Sequence, residues 1–173
     1  MTALLSLGSN LGDRLANLRA AFAALEADIP HTSFLTAPVY ETEPVDVPEE
    51  WAGQTYYNTA VALETDLTPD ELSVAVHAIE DKLGRKRTGY HAPRTIDIDI
   101  VAFGDARSSR PDLKLPHPEA VSRRFVLQPL ADIVPDFILP GQTRKIAELL
   151  STLPPEGRLW RPEGESVEVR SKK

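Results

Sequence analysis

The 173-residue chain has no cysteine, one methionine, two tryptophans and only 6% aromatic residues. Without cysteine there is no disulfide framework, no thiolate-bound zinc, no iron–sulfur cluster and no thiol nucleophile. Long apolar runs are missing too. The longest near the start, Ala3 to Leu7, is far too short for a secretory core or a membrane span, so a soluble cytoplasmic protein is expected. Nor is there an excess of positive charge: 19 Lys+Arg against 26 Asp+Glu leave a net charge of −7, which repels polyanions and argues against nucleic-acid binding. What is present, 42% hydrophobic and 26% charged residues, suits one ordinary globular domain. In such an acidic chain any local basic cluster is informative.

Ala3 to Leu7 reads as a short buried strand stopping at Gly8-Ser9-Asn10. Leu15, Leu18, Phe22 and Leu25 recur every three or four residues and predict an amphipathic helix, with Arg14, Asn17 and Glu26 pointing elsewhere. Thr32 to Thr42 and Tyr56 to Thr65 carry β-branched and aromatic residues and predict two strands joined by a long exposed loop. Thr68-Pro69-Asp70-Glu71 is a capping box with proline at the first helical position. The helix it opens buries Leu72, Val76, Ile79 and Leu83 and ends at Gly84. Thr95 to Phe103 predicts a strictly alternating strand. The order β-α-β-β-α-β is the ferredoxin-like split βαβ plan, an α+β fold. Beyond Arg107, prolines at 111, 116, 118, 129, 135 and 140 predict short helices and connectors packed over one edge of the sheet. A last short helix is expected over Arg144 to Leu153 through Ile146, Leu149 and Leu150. The domain is thus expected to span residues 1–153, followed by a polar tail, 154–173, that is mobile or an edge appendage.

The segment Arg94-Thr95-Ile96-Asp97-Ile98-Asp99 carries the most chemistry. In a strand, Asp97 and Asp99 share a face about 7 Å apart at a rise of about 3.3 Å per residue. Two carboxylates that close repel unless a cation lies between them, and Mg²⁺, which shares its shell with water and phosphates, is the natural one. A solvated acidic strand face is the plain alternative. Just upstream, Lys82, Arg85, Lys86, Arg87 and Arg94 form a basic cluster suited to phosphate oxygens, or simply a solvated basic loop. Pro116-His117-Pro118 and Arg123-Arg124-Phe125 offer a histidine, a charge and a stacking ring, although a helix start explains them as well. Tyr56 and Asn58 share a strand face and suit a flat heterocycle, or ordinary cross-strand packing.

Taken in order, Gly8-Ser9-Asn10-Leu11-Gly12-Asp13-Arg14, Tyr40-Glu41-Thr42, Tyr56-Tyr57-Asn58, Pro93 to Asp99, Leu115-Pro116-His117 and Arg123-Arg124-Phe125 form a pattern. From Ala3 to Leu153 it resembles the 6-hydroxymethyl-7,8-dihydropterin pyrophosphokinases of folate biosynthesis. The resemblance implies a monomeric ATP-dependent enzyme that passes a diphosphate to the pterin hydroxymethyl group and releases AMP. It implies Asp97 and Asp99 as ligands of two Mg²⁺ ions. Arg85, Arg87 and Arg94 become the phosphate clamp, with Arg85, Arg94 and the two aspartates catalytic. His117 and Arg123 then lie beside the nucleotide, and Glu80 and Ile98 near its nucleoside end. Tyr56 and Phe125 sandwich the pterin, whose hydrogen-bonding edge meets Asn58, Thr42 and the backbone near Val45. The chain departs from the family pattern at Tyr90, His91 and Glu43. It also has Asp112 and Lys114 where an arginine and a threonine are expected near ATP. A non-catalytic nucleotide-sensing domain on the same scaffold is the competing reading. An RNA-binding module of this shape would need aromatics and basic residues where Asp97 and Asp99 stand.

Overall fold

A computed structural model describes residues 1–43, 48–51, 53–84, 95–154, 159–160 and 171–172. Its elements in chain order are β1 (Thr2–Ser9), α1 (Arg14–Asp28), β2 (Ser33–Thr36), β3 (Tyr40–Thr42), β4 (Tyr56–Glu64), α2 (Pro69–Lys82), β5 (Asp97–Phe103), β6 (Ser108–Arg110), β7 (Leu113–Leu115), α3 (Arg124–Ile133), α4 (Ile146–Thr152), β8 (Leu159–Trp160) and β9 (Ser171–Lys172). The central strands lie in the order β5-β1-β4-β2, every neighbouring pair antiparallel. That is the expected ferredoxin-like plan. The two helices α1 and α2 cover one face, where Leu5, Leu7, Leu18, Leu25, Leu72 and Ile79 form the main core. Burial of each such leucine contributes roughly 1.5–3 kcal/mol.

The predicted helix signals act as chemistry requires. Thr68 Oγ1 accepts from the Glu71 N–H at 3.2 Å, while Glu71 Oε1 accepts from the Thr68 N–H at 3.1 Å, so two otherwise unpaired donors of α2 are satisfied. Asp13 caps α1 by accepting from the Ala16 N–H. Gly84 takes φ +83° just past α2, a conformation that disfavours any side chain.

Five expectations need correction. Strand β1 runs on through Gly8 and Ser9, because both keep antiparallel partners on β4. The predicted strand over 32–42 is split into β2 and β3 around Ala37-Pro38-Val39, as expected for a proline that cannot donate to a ladder. Strand β5 does not alternate strictly. Leu4 pairs with Ala102 but Leu5 with Ile100, so Val101 is an extra residue; Val101 and Ala102 both join the second-face cluster, and Phe103 returns to the first. Finally, α3 and α4 cover part of the second face of the sheet rather than an edge, packing Val126, Leu127, Leu130, Ile146 and Leu149 against Leu4, Ala60, Ala62 and Val101. Pro129 lies inside α3 instead of ending it. The N–H it lacks would have served the Phe125 carbonyl, and the apolar burial offsets that loss.

Of the tail, β8 pairs with β3 and β9 with β2, so the described parts of 154–173 extend the sheet at its far side. Among the described residues no helix is long and apolar enough to cross a membrane.

Candidate active site

The second face of the sheet is divided. Helices α3 and α4 cover one end, and the other carries the polar residues singled out from the sequence. Directly paired residues in an antiparallel ladder point the same way. Register therefore aligns Asp99 with Ser6, Asp97 with Gly8, Gly8 with Asn58, and Tyr56 with Thr42, all on this face. The predicted parity of Asp97 and Asp99 is realised because the extra residue of β5 comes after them. Both are half-buried, and their partners on β1, Gly8 and Ser6, are small.

Asn58 and Thr42 are each 4% exposed, and the Asn58 amide donates to Thr42 Oγ1 at 2.5 Å. That bond orients the amide and keeps Asn58 Oδ1 beside Gly8. A Cβ on Gly8 would lie 2.9 Å from Asn58 Oδ1 and 3.6 Å from the Tyr56 ring, so only glycine allows this approach. Phe125, at the start of α3, is half-buried against the second cluster and marks the border between the apolar end and the polar end.

Beside this face lies the sheet edge. Among the described residues strand β5 has no strand partner on its outer side, where the Ile98 N–H donates to Glu80 Oε2 at 3.0 Å. Glu80 is 1% exposed, so its carboxylate holds β5 to the end of α2 from within. Next to this edge opens a cleft of about 550 Å³, lined among others by Val76, His77, Ile98, Asp99, Lys114 and His117. Its outer wall is the β6–β7 hairpin. Arg110 ties that hairpin to the first turn of α2, donating to Asp70 Oδ1 at 2.6 Å and to Asp112 Oδ2 at 2.8 Å. The guanidinium holds both carboxyls below the usual carboxylate range. Asp112, where an arginine was expected, is thus matched by a cation two residues earlier.

After β7, the Leu115–Pro116 peptide bond is cis and the His117 N–H donates to Val101 O at 2.8 Å. The Glu119 N–H donates to His117 Nδ1 at 3.2 Å, which places the imidazole proton on Nε2. Burial first, and then the Arg123 charge, hold His117 below its ordinary value against the opposing pull of Glu119 and Asp97. It is a neutral donor at neutral pH. Arg123 is paired with the Glu119 carboxylate, and its guanidinium carbon lies 5.5 Å from the centroid of the Phe125 ring.

The structure thus gathers Thr42, Tyr56, Asn58, Asp97 and Asp99 on one face. Ile98 and His117 border the cleft beside it, Phe125 packs against the second apolar cluster, and Arg123 neighbours both His117 and Phe125. Glu80 stands behind β5, where its carboxylate accepts from the Ile98 N–H. Val45, Arg85, Arg87 and Arg94, with Tyr90 and His91, lie outside the described residues. Sequence reading passed over the Glu119–Arg123 pair, although an acidic residue four before an arginine is a recognisable signal. It also missed the Arg110 bridge to Asp70, which are 40 residues apart and leave no local mark.

The model of the 7,8-dihydro-6-hydroxymethylpterin-pyrophosphokinase (HPPK) family matches residues 4–135. The 2-amino-4-hydroxy-6-hydroxymethyldihydropteridine pyrophosphokinase of Methylorubrum extorquens is 40% identical over 156 residues, covering 90% of this chain and 95% of the relative. The Pseudomonas aeruginosa protein of the same name is 39% identical over 153 residues, 88% of this chain and 91% of its own length. Among solved structures, Plasmodium falciparum HPPK-DHPS with pteroate superposes with a TM-score of 0.69 at 16% identity. It matches 87% of this chain, which spans 44% of that longer protein, and at this identity the likeness speaks for the fold.

Proposed function

The chain belongs to the 7,8-dihydro-6-hydroxymethylpterin pyrophosphokinase family, whose reaction moves a diphosphate from ATP to the pterin hydroxymethyl group in folate biosynthesis, and we propose how its residues divide that work. The pterin occupies the polar end of the second face. Asn58 and Thr42 meet its hydrogen-bonding edge together with the backbone near Val45, and Tyr56 and Phe125 stack on its two faces. A flat heterocycle with donors and acceptors along one edge suits a buried, pre-oriented amide flanked by rings. ATP takes the cleft beside the β5 edge, with its base near Ile98 and its phosphates reaching toward Asp97 and Asp99. His117 donates from Nε2 to the nucleotide, Arg123 adds charge, and Arg85, Arg87 and Arg94 clamp the phosphates.

The donor set fits magnesium. Asp97 and Asp99 are hard oxygen ligands, half-buried on one face with glycine and serine opposite. Among the described residues no third acidic or histidine side chain completes a cage. Mg²⁺ is typically held by one or two carboxylates, with water and substrate phosphates filling the rest of its shell. When bound, Mg²⁺ would neutralise charge on the ATP phosphates. The protein's own part is positioning: stacking rings and Asn58 aim the hydroxymethyl oxygen, and the clamp aligns the β-phosphorus with it. The bond from that oxygen to the β-phosphorus forms as the bond from the β-phosphorus to the bridging oxygen breaks. The electron pair leaves with AMP on the oxygen that had joined the α- and β-phosphorus, and the hydroxyl proton passes to water. Alignment and charge stabilisation supply most of the acceleration in such transfers.

The observation that carries this reading is the alignment of Asp97 and Asp99 with Gly8 and Asn58 on one face, beside a cleft. A coupled assay of AMP formation from ATP tests it. AMP should appear only when the hydroxymethyl pterin and Mg²⁺ are both present. Binding of both ligands without AMP would favour the nucleotide-sensing alternative.

A further inference from the structure

The two strands that carry Thr42, Tyr56 and Asn58 are joined by the chain between Thr42 and Tyr56, and their back surface faces α1. There Arg14, the first residue of α1, reaches across the end of β1. Its guanidinium donates from one nitrogen to Thr55 O at 3.1 Å and to Thr55 Oγ1 at 2.6 Å. The same nitrogen lies 3.7 Å from Glu41 Oε1, and Thr55 Oγ1 itself donates to that oxygen at 2.8 Å. The guanidinium carbon stands 3.9 Å from the centroid of the Tyr57 ring.

These contacts select both ends of one connection. Glu41 belongs to β3, Thr55 directly precedes β4, and Glu41 pairs with Tyr57 in the ladder. The neighbouring pair, Thr42 with Tyr56, points to the opposite face. Arg14 therefore grips the back of the ribbon whose front carries the pterin-facing groups. Its side chain is only 26% exposed and that of Glu41 19%, so the pair is partly withdrawn from solvent screening. An arginine suits the place because one planar group serves a carboxylate, a carbonyl, a hydroxyl and an aromatic face together, which a lysine ammonium on a flexible stem does not.

We propose that Arg14 is a positioning residue for pterin binding: by joining Glu41, Thr55 and Tyr57 it fixes the separation and twist of β3 against β4, and so the placement of Thr42, Tyr56 and Asn58. It touches no substrate. Its effect falls on the pterin and spares ATP, whose cleft lies at the other edge of the sheet beyond β1. This rests on the assignment of the pterin to the Thr42, Tyr56 and Asn58 face.

The test uses the full chain with Arg14→Ala, Arg14→Lys and Thr55→Val, and Asn58→Ala as a direct-contact control. Dissociation constants are measured for the hydroxymethyl pterin and for a non-hydrolysable ATP analogue with Mg²⁺, with melting temperatures alongside. Arg14→Ala should weaken pterin binding at least about tenfold and change ATP-analogue binding less than about twofold. Arg14→Lys should recover only a small part of the loss, and Thr55→Val should show the same selectivity in milder form. If Arg14→Ala does not fold, the selectivity of Thr55→Val decides. Equal losses for both ligands, or no loss for the pterin, would overturn the proposal. Asn58→Ala separates the two levels. A pterin loss there without one in Arg14→Ala removes this inference alone, whereas unchanged pterin binding in Asn58→Ala removes the site assignment with it.

Discussion

Gly8 and Asn58 face each other across β1 and β4, and a single Cβ at position 8 would come within 2.9 Å of Asn58 Oδ1. Asn58 has nowhere easy to go, since its amide is bound to Thr42 and the residue is buried. Gly8→Ala should therefore cost about 1–3 kcal/mol through overpacking and displace the amide that meets the pterin. Urea denaturation checks the first effect. Calorimetric titration with the pterin checks the second, which should be at least tenfold; unchanged affinity would show that Asn58 is not held by this contact.

Asp97→Asn and Asp99→Asn should each lower turnover by at least a hundredfold while the fold persists. Each change removes one charged oxygen ligand while keeping the side chain's size and one oxygen acceptor, so the circular-dichroism spectrum should stay native. Near-normal rates for either variant at limiting Mg²⁺ would remove that carboxylate from the metal site.

Glu80 is buried, and its carboxylate answers a backbone donor of the edge strand. Glu80→Ala should cost about 1–3 kcal/mol by leaving the Ile98 N–H unsatisfied. Glu80→Gln keeps an oxygen acceptor and should cost clearly less. Equilibrium denaturation of the two variants separates a positioning role from a role in nucleotide contact, for which the stability gap between them would vanish.

The depressed His117 value has a definite sign in pH dependence. Folded His117 binds its proton less readily than the unfolded residue, whose reference value is 6.5. Its contribution to stability is thus complete above about 6.5 and is lost as pH falls through the folded value. NMR titration of the ring should show a midpoint below 6.5, moving up in Arg123→Gln and further down in Glu119→Gln. A wild-type midpoint at or above 6.5 would contradict the burial and Arg123 effects together.

Much of this molecule follows from local rules that act within a few residues. The capping box at Thr68 to Glu71 and the positive-φ Gly84 bound α2 because unpaired helix ends need partners within one turn. The parity of Asp97 and Asp99 follows from the period of a strand, and the matching of Asp-x-Asp to its family follows from residue identity. The sequence alone thus determined the fold plan, the family and the acidic pair. Tertiary structure decided the rest, because those features depend on partners far apart in the chain. The phase shift at Val101 hides in the continuous apolar run Ile100 to Phe103, where hydrophobicity carries no alternation to read. Helices α3 and α4 close a face rather than an edge because Leu4, Ala60 and Val101 offer apolar surface there. Gly8 is required by Asn58, fifty positions away, Glu80 is satisfied by Ile98, and Arg14 meets Thr55 and Glu41. None of these pairings has a sequence period. They arise only when the register of β1, β3, β4 and β5 brings the groups within hydrogen-bonding distance.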